Sequence, residues 1–248
     1  LSYLVLITAG FAAGILNAVA GGGTFLSFPA LIWAGVPPIM ANATATFSAM
    51  PGYIGSAWAF RHDLRAQGAL SLWAIIFLGI LGGLLGAFLL LVTSAQAFSA
   101  LVPWLLLLAT VVFAAGPMLL RWVTRKGGTG PGWILSTALV LSVTVYGGYF
   151  NGGLGIMLLA VFGLIGFTDL NTMNGLKTLV SAVISVVSVA TYIAAGLIDW
   201  RFLLPMAIAT AIGGYVGAAM ARKITNPALL RAFITLVGLA MTVAFFLR

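Results

Sequence analysis

The sequence predicts an all-α polytopic membrane protein made of two inverted four-segment repeats, each opening on a glycine-broken re-entrant hairpin. Three observations lead there. Of 248 residues, 62% are hydrophobic and 6% charged, with a mean hydropathy of +1.20. A soluble domain of this length carries roughly a quarter charged residues, so its surface cannot be assembled from eleven basic and three acidic side chains. Glycine breaks interrupt two long apolar stretches, Ala20-Gly21-Gly22-Gly23-Thr24 and Asn151-Gly152-Gly153-Leu154-Gly155. One offset of 131 residues brings the first break onto the second.

Taken in order, apolar runs bounded by turn signals predict spans at 2–19, 39–60, 69–93, 98–120, 132–150, 171–195, 201–221 and 227–247. Two shorter pieces remain, 24–34 and 155–166. At about 1.5 Å per residue they reach only about 17 Å, roughly half of a hydrocarbon core, and so are expected to be half-helices. Glycine at that depth exposes backbone groups that only protein or a water-filled cavity can satisfy.

The same offset, without a gap, pairs Gly35 with Gly166, Gly82 with Gly213, Gly83 with Gly214, Gly86 with Gly217 and Ala97 with Ala228. The chain therefore divides into residues 1–126 and 127–248, the second inverted. Charge counting sets the orientation. If each unit is one hairpin returning to its own side followed by three crossings, then Arg61, Arg65, Arg121, Arg125, Lys126, Arg222, Lys223 and Arg231 all face the cytoplasm. Only Arg201 and Arg248 face outward. An odd number of crossings per unit inverts the second, as in transporters whose broken helices meet at a midplane site. Parallel repeats would instead need 2–34 to cross once or three times.

A helix resuming after Gly23 or Gly155 presents unpaired N–H groups and the positive end of its dipole, which suits an anion. Gly21, Gly22, Gly23 and Thr24 in the first break, with Gly152, Gly153 and Gly155 in the second, are candidate binding residues. The alternative for any such glycine is close helix packing, which fits Gly79, Gly82, Gly83, Gly86, Gly213, Gly214 and Gly217 better. Asn17 and Asn151, at the breaks, are placed to satisfy freed backbone groups. Lys177 lies about 9 Å into its span, where an ammonium needs a partner or a cavity unless it snorkels to the interface. Its mate by the offset is the uncharged Thr46. Asn42, Thr44 and Thr46 answer Asn174, Lys177 and Thr178 after a one-residue slip. The two asparagines are alternatively helix caps, and as lining residues all six would supply donors or charge.

The residue inventory excludes several function classes. There is no cysteine, so disulfides, thiolate metal sites and cysteine nucleophiles are out. Only His62, Asp63, Asp169 and Asp199 could titrate near neutrality or below, all in predicted loops, so no intramembrane proton relay is expected. No nucleophile triad, P-loop or metal-spaced cluster occurs, and an enzyme is not expected. The net charge of +8 is scattered through loops rather than gathered on a face, which reports topology rather than nucleic-acid binding. Trp58, Trp73, Trp104, Trp122, Trp133 and Trp200 mostly sit near span ends, as interfacial anchors do. A chain beginning at Leu1 without a charged leader is not expected to open on a cleaved signal.

The run Gly14-Ile15-Leu16-Asn17-Ala18-Val19-Ala20-Gly21-Gly22-Gly23-Thr24, with Phe28-Pro29-Ala30-Leu31 and Gly35-Val36-Pro37-Pro38, resembles the TauE/SafE family of sulfite and organosulfonate exporters. The second copy resembles it through Asn151-Gly152-Gly153-Leu154-Gly155 and Met173-Asn174-Gly175-Leu176-Lys177. Leu154 departs from it, standing where the first copy has a third glycine. The resemblance covers nearly the whole chain. It implies a permease of the bacterial cytoplasmic membrane that moves small sulfur-containing anions outward, with a small anion and the lipid bilayer as partners and no metal or organic cofactor. An anion channel and a non-transporting partner subunit are the rival readings. The sequence leaves the oligomeric state open, a homodimer included.

Overall fold

The computed structural model of the chain describes residues 2–62, 64, 69–125, 132–221 and 227–247. Ten helices make up the fold among the described residues: α1 (Ser2–Ala20), α2 (Thr24–Trp33), α3 (Pro38–Ala59), α4 (Leu72–Val92), α5 (Ala95–Arg125), α6 (Trp133–Tyr149), α7 (Leu154–Leu164), α8 (Leu170–Ala194), α9 (Trp200–Ala221) and α10 (Pro227–Phe246). Leu72–Val92, Ala95–Val112 and Asn171–Ala194 are long and apolar enough to cross a membrane. Asp63, Arg65, Lys126, Arg222, Lys223 and the boundary between residues 126 and 127 lie outside the described residues, as does the side chain of Trp122.

Local chemistry explains where helices stop. Gly21 takes φ +76°, a conformation that costs a residue with a Cβ about 1–2 kcal/mol, and its N–H folds back on the carbonyls of Leu16 and Asn17. Helix α2 ends where Gly35 N–H bonds Ile32 and Val36 N–H bonds Leu31; α7 ends the same way, with Gly166 on Gly163 and Phe167 on Phe162. The two closures are one offset apart. Pro38 opens α3 at a position where a missing N–H costs nothing, and the Asp169 carboxylate accepts from Thr172 N–H at 2.8 Å to cap α8. Helix α5 runs five residues past the expected end at 120. The basic residues Arg121 and Arg125 do not break a helix.

Packing follows the same correspondence. Helices α1 and α6 match under the offset, as do α9 and α4, and the two most extensive packings are α1 on α9 and α4 on α6. Helices α3 and α8, also mates, pack on each other between them. Glycine makes the close approaches possible. A methyl group at Gly82 would overlap Thr144, one at Gly86 would sit 2.6 Å from Tyr149 N, and one at Gly217 would sit 2.7 Å from Ile15 Cα. Two apolar cores result. One gathers Phe25, Phe28, Leu90, Phe98 and Phe150, with the Phe28 ring edge-on to Phe150 at 5.6 Å. The other gathers Leu78, Val143, Leu154, Phe162, Phe167 and Val180 around α7. Trp58, Trp73, Trp133 and Trp200 stand exposed at helix ends, while Trp104 is exposed along the side of α5.

Candidate functional site

The two glycine breaks touch. A Cβ built on Gly21 would lie 3.3 Å from Gly155 Cα, and one on Gly155 would lie 3.2 Å from Gly21 Cα, so the chains approach as closely as glycine allows. The offset pairs Gly21 with Gly152 rather than with Gly155, so the meeting is unsymmetrical. The reason is local. Helix α7 starts at Leu154, after Gly153 in the left-handed region at φ +73°, whereas α2 starts at Thr24 after Gly23 at φ −61°. Leu154, where the first copy has glycine, is fully buried and fills the space over Gly147.

The breaks satisfy their backbones differently. Asn17 Oδ1 accepts from Gly23 N–H at 2.8 Å, holding a donor freed at the start of α2. In the second break the Tyr146 hydroxyl donates to the Gly152 carbonyl at 2.6 Å. Asn151 has no such role. It is 1% exposed, and neither its Nδ2 nor its Oδ1 has a hydrogen-bond partner. Tyr146, one turn before the break, does what Asn151 was expected to do.

Below the contact lies a cavity of about 530 Å³. Its wall takes Asn17 from α1, Gly21 from the first break, Gly155 from α7, and Asn174, Lys177 and Thr178 from α8. It runs along the C-terminal half of α3, past Tyr53 and Ser56 to Phe60, beside the exposed Arg61. Lys177 is 7% exposed, with Nζ donating to Asn174 Oδ1 at 3.0 Å. No carboxylate among the described residues pairs with it. Its stem lies against the glycine contact, so that a Cβ on Gly155 would fall 3.3 Å from Lys177 Cδ. An ammonium buried with one neutral partner leaves a positive field in the cavity, and burying it in that state is costly. Because Asn174 accepts through its oxygen, its amide N–H groups remain to donate. Thr178 spends its hydroxyl on the Asn174 and Gly175 carbonyls.

The other candidates stand away from the cavity wall. Gly22, Gly23, Thr24, Gly152 and Gly153 are buried within the breaks. Asn42 Nδ2 donates to the Tyr149 carbonyl at 2.9 Å, Thr44 Oγ1 accepts from Asp199 N–H at 2.9 Å, and Thr46 Oγ1 donates to Asn42 O at 2.9 Å. Asn42 and Thr44 fasten α3 to its neighbours, while Thr46 is spent on its own helix. Sequence reasoning missed Ser181, Tyr53, Ser56, Thr210 and Tyr215, which also line the cavity. Ser181 was legible: Asn174, Lys177, Thr178 and Ser181 follow i, i+3, i+4, i+7 and so share one helix face. The aromatic and glycine residues of α3 carried no such signal. Among the described residues no three His, Cys, Asp or Glu side chains gather as metal ligands.

The family described as sulfite exporter TauE/SafE matches the chain over residues 6–245, which include both breaks and every candidate above. The chain belongs to that family. It is 29% identical over 240 residues to a Haemophilus influenzae protein described as "Probable membrane transporter protein", covering 96% of this chain and 92% of the relative. It is 28% identical over 244 residues to "Probable membrane transporter protein ORF9" of a Sinorhizobium species, covering 93% and 89%. The TauE/SafE chain is thus a member of a membrane transporter family, and its apolar helices fit that setting. Its relatives are described as transporters rather than enzymes.

Proposed function

We propose that this TauE/SafE member is a secondary transporter that exports a small sulfur-containing oxyanion, sulfite or a short organosulfonate, across the bacterial cytoplasmic membrane by alternating access. One observation carries the reading: a cavity that ends on the Gly21–Gly155 contact and holds a buried lysine with no carboxylate against it among the described residues. Lys177 supplies the charge that a small anion requires. Asn174 and the Gly155 N–H supply neutral donors, the neighbouring N–H groups of Leu154, Ile156 and Met157 being spent on the Asn151 and Gly153 carbonyls, and α7 directs the positive end of its dipole to the same place. Asn17 shapes the wall while it holds Gly23. A single cation matches a monoanion better than a dicarboxylate.

The architecture supporting this reading is a pair of inverted repeats, 1–126 and 127–248, whose α1–α2 and α6–α7 segments are re-entrant hairpins. Helices α2 and α7, of 10 and 11 residues, span about 15–17 Å, half a bilayer core. The cavity extends to the α3 end that carries Arg61, the cytoplasmic end by charge counting, so the arrangement is inward-facing. Thr44, Thr46 and Asn42, fully buried and bonded toward the other end, close the path there. That closure favours a carrier over a channel.

Export of one negative charge from a cell negative inside gains about 2.3 kcal/mol per 100 mV, so no coupling carboxylate is required. The test is reconstitution into liposomes with an imposed membrane potential. Sulfite or sulfoacetate flux should follow the potential without a proton or sodium gradient, and thermal stabilisation of the purified protein should be strongest for the transported anion. A strict need for either cation gradient, with no response to potential, would refute the mechanism.

A further inference from the structure

Helix α8 continues its polar face beyond the cavity. Ser181, Ser185 and Ser188 follow Asn174 and Lys177 at three- and four-residue intervals, toward the end opposite Arg61, and all three are at most 1% exposed. Ser181 and Ser185 have no hydrogen-bond partner for Oγ. Ser188 Oγ, by contrast, reaches the Gly83 carbonyl at 3.3 Å and also bonds the Tyr192 hydroxyl. A serine in a helix usually turns its hydroxyl back on the preceding turn, as Thr178 and Thr191 do here. An orphaned buried hydroxyl costs about 1–3 kcal/mol, so a face built of them is unfavourable in the arrangement seen.

The offset of 131 gives that face a purpose. The part of α3 that lines the cavity, Ala49 to Phe60, maps onto Val180 to Thr191 of α8, the segment carrying Ser181, Ser185 and Ser188. Gly214, on the opposite wall of the cavity, maps onto Gly83, which faces Ile184 and Ser188. The mates differ in packing. A Cβ on Gly214 would find only Gly14 O, at 3.9 Å, whereas one on Gly83 would meet Ile184 Cα at 3.3 Å, and one on Gly148 would meet Gly83 Cα at 2.9 Å. The same pair of helix surfaces is parted on one side of the glycine contact and pressed together on the other. The seal itself is light: glycine backbone on glycine backbone, and the Tyr192 hydroxyl donating to the Gly148 carbonyl.

We infer that the α8 face continuing from Ser181 on the cavity wall through Ser185 to Ser188, where it is sealed against Gly83, is the second half of the anion's path, a hydroxyl-lined vestibule opening toward the Arg201 end when the present cavity closes. It rests on the transport reading above and extends it from one site to a route. The Ser181 and Ser185 hydroxyls then donate to the passing oxyanion, which is the partner they lack in the arrangement seen.

The chain contains no cysteine, so Ser56→Cys, Ser185→Cys and Ser188→Cys each create a sole labelling site. Right-side-out and inverted membrane vesicles of the expressing bacterium are treated with a membrane-impermeant cationic methanethiosulfonate. Ser56→Cys should react from the Arg61 end only. Ser185→Cys and Ser188→Cys should react from the Arg201 end only, at about 1–10% of the Ser56→Cys rate, since the open form is the minor state. Reaction of the α8 cysteines from the Arg61 end, or none from either end while those variants still move sulfite, overturns the route and leaves the transport reading standing. Absence of sulfite or sulfonate flux together with the expected labelling overturns the substrate class and leaves the route standing. Ser185→Ala supplies the second readout. It should raise the melting temperature while slowing transport about tenfold, equivalent to about 1.4 kcal/mol of barrier, and unchanged transport would count against the route.

Discussion

The two glycine breaks are built on one plan and finished with different chemistry. The first holds its freed N–H with its own Asn17, opens α2 at Gly23 in a right-handed conformation, and has neutral Thr46 as the helix partner one offset from Lys177. The second turns through Gly153 in the left-handed region, is braced by Tyr146, and has Lys177 beside its first turn. The two breaks thus share one offset in the sequence, while the charge stands beside the second only. A site made by two equal halves would hold an anion on its axis. Here the anion should sit off the axis, toward α8.

The largest effect should come from removing that asymmetry. Lys177→Met keeps the stem and deletes the ammonium. A hydrogen bond to a charged group contributes about 1.5–3 kcal/mol, so sulfite binding should weaken about ten- to hundred-fold. Because the variant no longer buries a charge, its melting temperature without anion should not fall. Anion-dependent thermal shift measures both. Retained binding would remove Lys177 from the site. A smaller effect is expected of Gly155→Ala, whose Cβ would lie 3.2 Å from Gly21 Cα and 3.3 Å from Lys177 Cδ, so that one of them must give by a few tenths of an ångström. Overpacking of this kind costs about 1–3 kcal/mol and should appear in anion affinity as well as in stability.

Much of this comparison was legible in the sequence, for physical reasons that can be named. Apolar run length located the helices because a bilayer admits few alternatives, and the offset found both breaks because glycine alone permits their turns. The exceptions show the limit. Helix α5 overran its expected end because charge marks a membrane boundary and not a helix boundary. The offset makes Gly21 and Gly152 equivalent positions, but it could not show that Gly21 meets Gly155, nor that α7 starts one residue earlier than its mate, where Leu154 buries its side chain. Asn42, Thr44 and Thr46 were expected at the anion because they mirror Asn174, Lys177 and Thr178. Composition could not distinguish a hydroxyl that faces a cavity from one spent on a carbonyl of its own helix, as Thr46 is on Asn42.

The backbone support of the breaks should separate next. Asn17→Ala leaves Gly23 N–H without its acceptor, and an abandoned buried donor costs about 1–3 kcal/mol. A drop in melting temperature of the purified protein is expected, along with weaker anion binding, because α1 and α2 both frame the contact. Asn17→Asp keeps an acceptor and should retain most of the stability while repelling the anion. Equal behaviour of the two variants would mean that Asn17 matters for its volume and not for its hydrogen bond.

The smallest effect, and the one of opposite sign, belongs to Asn151. It occupies the second break as Asn17 adjoins the first, yet its amide is buried and unpartnered at both atoms. Burying such a group costs about 1–3 kcal/mol by mutational measure, whereas leucine, of the same branched shape though bulkier, carries no polar atom to desolvate. Asn151→Leu should therefore raise the melting temperature, the reverse of Asn17→Ala, and should leave sulfite affinity unchanged, since Asn151 does not line the cavity. If the melting temperature falls instead, Asn151 braces the second break after all, and the two breaks are closer in construction than their hydrogen bonds indicate.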